Sequence, residues 1–278
     1  MSTVMEPGPK GPRWSVEQLP FPLIDRARVM GDPDLFYMLV SASFVEITSD
    51  LYTQNLVDYF DGDAEVQQWL EHQWQHEEVQ HGFALKRYVT TVWPEFDWDE
   101  AYRRFFSDYA RVCIVENLGP TRALELVARC VVETGTATMY TLLGRLTDEP
   151  VLRLLTDHIR RDEVRHYGFF YHHFVSYQRD ERPSRTAILR TLWSRVAEID
   201  NEDAYYAFKH VFMMRHPSRT FTDSDYHDFR RRLLARARGE YPFHMAAKMV
   251  LKPLALGRHV QRAAVPLLTA GARHLFLR

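Results

Sequence analysis

The sequence predicts an all-α protein built around a four-helix bundle, and three observations predict it. Two motifs of one kind, Glu78-Val79-Gln80-His81 and Glu163-Val164-Arg165-His166, each lie mid-segment in a helical pattern. Residues i and i+3 share a face of a helix, so each motif aims one carboxylate and one imidazole at the same point. A lone acid precedes each motif by about one long helix and a turn. These acids are Glu46, between Ser43-Phe44-Val45 and Ile47-Thr48, and Glu133, within Val131-Val132-Glu133-Thr134-Gly135-Thr136; the two intervals differ by only two residues. Both stretches are too apolar for a solvated face, and a charged carboxylate almost never stays buried unless paired or metal-bound. Third, strand signals are scarce throughout. The chain reads as two helical hairpins, each giving Glu and then Glu-x-x-His, the pattern that builds a two-metal centre inside a bundle.

The elements follow in order. Residues 1–32 form an irregular segment: Pro7, Gly8, Pro9, Gly11 and Pro12 open it, and Pro20-Phe21-Pro22 leads to Asp32-Pro33, a plausible N-cap followed by a first-turn proline. Residues 33–180 hold the bundle. Its first helix runs from Asp34 to Phe60 around Glu46; the second carries Glu78 and His81 and ends at Pro94. A crossover from Trp93 through Gly119-Pro120 contains an intervening helix from Phe96 to about Asn117. The third helix spans Thr121 to Leu146 around Glu133, and the fourth carries Glu163 and His166. One long crossover between two hairpins suits such a bundle. Residues 181–278 add helices and a basic tail that packs on the bundle: after Pro183, one helix from Thr186 to about Phe212 closed by Pro217, then another capped by Asp223 or Ser224.

Composition sets the broad class. A chain of 278 residues with 46% hydrophobic content can bury a sizeable core as one large domain. No apolar run approaches the ~20 residues of a membrane span, and the N-terminus lacks a secretory pattern. Cys113 and Cys130 show no pairing pattern, which suggests a reduced, cytoplasmic protein. Cys130 lies one turn before Glu133, where packing suits it better than ligation. Charge is uneven: from Phe229 to Arg278 there are eleven Lys or Arg against the single acid Glu240, so residues 1–228 carry −12 in a chain of net charge −2. That asymmetry points to an anionic partner. A carrier protein and a membrane surface both fit, the latter through the apolar and basic mixture of Met245–Leu277; packing of the tail on the acidic bundle is the plainer reading. No nucleic-acid module is present.

The ligand set narrows the metal. Glu46, Glu78, Glu133 and Glu163 with His81 and His166 give four carboxylates and two imidazoles, which neutralise two Fe(II) ions and suit Fe or Mn better than thiophilic metals. Mg and Ca need no imidazoles. A zinc-protease signature requires histidines four apart on one face; His76 and His81 are five apart, and no Glu follows His72.

The order Glu46, Glu78/His81, Glu133, Glu163/His166 resembles the ferritin-like di-iron carboxylate superfamily, and most closely its soluble acyl-carrier-protein desaturases. Those carry Glu-Glu-x-x-His in the first motif, matched by Glu77-Glu78-Val79-Gln80-His81. They carry Asp-Glu-x-Arg-His in the second, matched by Asp162-Glu163-Val164-Arg165-His166, and a Thr three residues after the third-helix Glu, here Thr136. The resemblance spans roughly residues 30–180. It implies a ferritin-like four-helix bundle with additional C-terminal helices, holding two Fe ions or a mixed Mn/Fe pair. The implied activity is an O2-dependent oxidase or monooxygenase attacking an unactivated C–H bond of an acyl chain, carrier-bound or free, by desaturation or hydroxylation. It implies Thr136 at the oxygen side of the site, Asp162 orienting one ligand histidine, and homodimerisation. Electrons would come from a ferredoxin-like or flavin partner, because the chain has no Cys cluster or dinucleotide motif. Three rival readings belong to the same superfamily. Amine N-oxygenases carry an extra His one turn before the second-motif Glu, where this chain has Ile159, with His158 one place off. Iron-storage ferritins are short bundles without the residues this chain has beyond its bundle. Radical-generating subunits need a Tyr close to the irons, a place open to Tyr140.

Overall fold

A computed structural model describes residues 12–111, 118–198 and 203–276, and every regular element among them is helical. Helix α1 (Pro33–Ile47) starts as its sequence dictates: the Asp32 carboxylate accepts the Leu35 amide and Pro33 occupies the first position, where a missing N–H costs nothing. It ends earlier than expected. The single helix expected from Asp34 to Phe60 is broken after Ile47, and α2 (Asp50–Tyr59) starts anew beyond Ser49. The Thr48 hydroxyl bonds back to the Phe44 and Val45 carbonyls, the local competition that bends and ends helices at Thr and Ser. Helix α3 (Ala64–Trp69) continues through one π turn, Leu70–Trp74, into α4 (Gln75–Val92), which carries the first motif.

Helix α5 (Trp98–Tyr109) is the intervening helix, shorter than expected over its described part; residues 112–117, with Cys113, lie outside the described residues. Helix α6 (Arg122–Leu146) and helix α7 (Pro150–Glu181) are the longest pair. Glu149 caps α7 by accepting the Val151 and Leu152 amides, and Arg182 ends it in the left-handed region at φ 46°. Then come α8 (Arg185–Glu198), α9 (Asp203–Arg215), α10 (Asp223–Ala237), α11 (Phe243–Leu251) and α12 (Arg258–Phe276). The stretch expected as one helix from Thr186 to Phe212 is thus α8 and α9, with residues 199–202 outside the described ones. The cap of α10 is neither Asp223 nor Ser224 but Thr222, in a reciprocal box with Asp225.

Four helices are central. α1 packs on α4, α6 on α7, and α4 on α7; α9 and α5 cover α1, while α8 and α11 cover α6. Gly82 sets the closest approach of α1 and α4: a Cβ there would sit 2.3 Å from Ile47 Cγ1 and 2.8 Å from the Ile47 amide. The 3₁₀ turns between Val16 and Arg28 fold the N-terminal segment over this frame, and Trp14, Leu19, Phe21 and Val29 join the core of α1, α4, α5 and α9. Part of the basic C-terminal region packs inward as well, since Arg232 and Arg236 pair with Asp34 and Asp32 at the start of α1. That is favourable beside a helix N-terminus only because the acids stand between.

Two apolar cores result. One takes Tyr140 and Leu143 of α6 with Val151 to Ile159 of α7; the other takes Ala123 to Val131 of α6 with Tyr167 to Phe174 of α7. Glu133 and the run Asp162–His166 fall in the layer between them.

Candidate metal centre

Every side chain expected to bind metal is buried in that layer: Glu46, Glu78, His81, Glu133, Glu163 and His166 are all at most 6% exposed. They converge as two overlapping groups, Glu46-Glu78-His81-Glu163 and Glu78-Glu133-Glu163-His166, each with ligand atoms within 4.8 Å of one another. Each group has its own histidine and its own lone Glu. Glu78 and Glu163 belong to both, the placement of bridging carboxylates.

The hydrogen bonding separates inner from outer atoms. His81 Nδ1 faces Glu163 Oε1 at 3.2 Å and Glu46 Oε2 at 3.5 Å. His166 Nδ1 faces Glu78 Oε1 at 3.0 Å and Glu133 Oε2 at 3.5 Å. One inner atom of each of the six residues is buried without a hydrogen-bond partner. Buried polar atoms are almost always satisfied. Six orphans, one on each expected ligand and all converging, are the arrangement a pair of cations would satisfy, and the O and N donor set fits Fe or Mn.

The outer atoms are held in a crossed pattern. His81 on α4 meets Asp162 Oδ2 on α7 through Nε2 at 3.0 Å, and His166 on α7 meets Glu77 Oε2 on α4 through Nε2 at 2.7 Å. A carboxylate on the far nitrogen fixes the tautomer that leaves Nδ1 free to ligate. Arg165 bonds both outer acids, Asp162 and Glu77. Trp14 donates from Nε1 to Asp162 Oδ2 at 2.7 Å and stacks on His81 with ring centroids 6.1 Å apart and planes within 8°. Trp74, placed by the π turn, donates to Glu133 Oε1 at 3.2 Å, and the Tyr140 hydroxyl donates to Glu46. π turns of this kind recur at functional sites.

Thr136 stands half-buried beside the centre. Its hydroxyl reaches Glu163 Oε2 at 2.5 Å and has longer contacts to the Val132 and Glu133 carbonyls, so it touches a ligand carboxylate while also bonding to its own helix. Ile159 is fully buried, and His158 stacks on Trp14 outside the metal groups. His72 and His76 are exposed and take no part. Cys130 packs in the second core, where burial pushes its thiol up.

Without metal, the cluster shares protons. Burial raises Glu78 well above the usual carboxylate range, and the charges of Glu163 and Glu46 add to it; burial likewise brings Glu133 to about 7. Burial works against charge on His81, but the flanking Glu163 and Glu46 outweigh it and lift the imidazole to about 10; His166 rises well above its usual value for the same reason, through Glu133, Glu77 and Glu78. The protons stand where cations would bind.

The structure brings together the six residues singled out from the sequence and places Asp162 against His81. Sequence reasoning missed Glu77, although the symmetry of the motifs signalled it: Glu77 precedes Glu78 as Asp162 precedes Glu163. Trp14 left no local signal, being 148 residues from its partner. No protein-family model matches the chain, and no curated protein matches it.

Proposed function

We propose that this chain is a non-haem di-iron oxidase of the ferritin-like kind, with α1, α4, α6 and α7 as its bundle. Its substrate is an acyl chain, carrier-bound or free, oxidised at an unactivated C–H by desaturation or hydroxylation. The single observation that carries the reading is the set of six converging buried atoms that make no hydrogen bond and face only one another. Glu46 and His81 would hold one iron, Glu133 and His166 the other, and Glu78 and Glu163 both. Bound in this way, the iron pair supplies O2 activation.

The chain's own residues do the rest. Glu77 and Asp162 hold the imidazoles to one tautomer; Tyr140, Trp74 and Thr136 each hold one carboxylate through a single oxygen. The two apolar cores exclude water on either side of the layer. The Thr136 hydroxyl, half-buried and bonded to a shared ligand, is the group placed to deliver or hold a proton at the edge of the site. A ferredoxin-like or flavin reductant supplies the electrons.

A second reading draws on Tyr140, whose hydroxyl bonds ligand Glu46 and which burial holds protonated: a radical-generating subunit. The test is to load the anaerobic protein with Fe(II), count the metal, and mix with O2 alone and with acyl carriers or free fatty acids, following absorption and electron paramagnetic resonance. Two irons per chain and an oxidised acyl product support the oxidase. A stable tyrosyl radical lost in Tyr140→Phe selects the second reading, and absence of paired iron ends both.

A further inference from the structure

Two late helices each leave several large apolar side chains exposed. Beyond Val164, all such side chains among the described residues lie on α8 and α12: Leu189, Trp193 and Val196, then Val260, Leu267 and Leu268. The first three recur at i, i+4 and i+7, a stripe along α8 beside the Ile188 and Leu192 side chains it buries. On α12, Val260, Ala263, Leu267 and Ala270 share one exposed face. Val265 is the one described side chain that this 19-residue helix buries. Helices owe most of their stability to packing of an apolar face, and α12 turns its apolar face to solvent. Within these two stripes Trp193 and Leu267 protrude most, at 76% and 74% exposure. α8 packs on the Lys252–Leu254 turn that joins α11 to α12, so the two stripes belong to neighbouring elements.

Charge selects the occupant. Exposed Arg185 and Arg190 flank the stripe of α8, and exposed Lys248, Lys252, Arg258 and Arg262 surround the start of α12; no acid follows Glu240. A symmetric dimer through this face would press two such basic surfaces together, which like charges oppose. An acidic protein would answer the arginines but not the protruding Trp, Leu and Val on two separate helices. An anionic bilayer answers both: cationic flanks meet headgroups while Trp and Leu enter the interface. No helix of the described residues is long and apolar enough to cross a membrane, so the helices would lie in its plane.

We propose that α8 and α12 together form a docking surface for an anionic lipid bilayer, independent of the metal centre. The test is flotation of the full chain with vesicles of phosphatidylcholine alone or mixed with phosphatidylglycerol, at low and high salt. The expected result is binding to the mixed vesicles only, weakened by salt. The double variants Trp193→Ser/Leu267→Ser and Arg258→Glu/Arg262→Glu, which alter exposed positions, should each lower partitioning at least about tenfold, or ~1.4 kcal/mol, with helicity and metal content unchanged. The proposal is overturned if the wild type ignores anionic vesicles, if it binds neutral ones equally well, or if both folded variants bind like the wild type. It is also overturned if the apolar variant converts a stable dimer to monomer without changing vesicle binding.

Discussion

The crossed pairing of histidines and outer acids makes a prediction specific to each half of the centre. Asp162 is 1% exposed, and its Oδ2 accepts from both His81 Nε2 and Trp14 Nε1. Asp162→Asn keeps the volume but removes the charge. Its one oxygen cannot serve both donors and Arg165 as the carboxylate does, and its NH2 group must face at least one other donor. Loss of such an outer partner weakens metal binding by roughly 10- to 100-fold, or ~1.4–2.7 kcal/mol. The loss should fall on the subsite of His81 and Glu46. Glu77→Gln should produce the same loss on the subsite of His166 and Glu133, because Glu77 serves His166. The assay is an anaerobic Fe(II) or Co(II) titration against a competing chelator, with the ligand environment of each metal followed by absorption. Each variant should show one metal near wild-type affinity and one weakened, and the weakened subsite should differ between the two. Two wild-type affinities in either variant, or the same subsite weakened in both, would refute the crossed arrangement.

Four further outcomes are expected. Glu163→Ala removes a carboxylate common to both groups and should abolish paired metal binding, whereas His166→Ala should spare one metal; far-UV circular dichroism should stay near wild type in both. Gly82→Ala puts a methyl into Ile47 and should cost about 1–3 kcal/mol in denaturant unfolding, with repacking strain as the cause; an unchanged midpoint would show that α1 and α4 separate freely. Metal affinity should rise with pH up to about 10, most steeply below about 7, where metal must displace protons from both Glu133 and His81, and less steeply from 7 to 10, where only the His81 proton remains; an affinity that is flat over this range contradicts the shared-proton description. Asp32 is held below its ordinary 3.8: burial opposes this, but Arg236 and the Leu35 amide outweigh it. Its folded value lies below the unfolded one, so its contribution is present above pH 3.8 and lost as pH falls through the folded value. Asp32→Asn should therefore lower the thermal midpoint at neutral pH, with the difference from wild type vanishing in acid.

How much was legible in the sequence depended on the range of the interaction that decided each feature. Glu78 with His81, and Glu163 with His166, are local: one turn of helix joins them, so spacing alone announced them. The lone Glu46 and Glu133 were legible because an acid amid Phe44, Val45, Val131 and Val132 contradicts its surroundings unless something pairs with it. The Asp32–Pro33 start of α1 was equally local. The break at Thr48 was not, because Thr tolerates a helix interior until tertiary packing favours its bond back to Phe44 and Val45. The Thr222 cap lost to Asp223 in the sequence reading because both types cap well, and only the position of Asp225 three residues on decides between them.

Trp14 shows the limit most clearly, and it bears on why the centre holds its shape. A layer of four carboxylates between two apolar cores is electrostatically self-opposed, and burial of unpaired charge costs stability. The structure offsets this from outside the layer. Glu77, Arg165 and Asp162 form an outer chain of alternating charge, and Trp14, anchored in the core of α1 and α4, caps it at Asp162. An N-terminal segment with no α-helix among its described residues thus becomes part of the support of the candidate metal centre. It does so through a contact between residues 148 positions apart, which no local pattern encodes. Removal of that contact by Trp14→Phe would leave the six inner residues intact and loosen only the acid that orients His81. The centre's geometry therefore depends on packing that begins well before the first ligand in the chain.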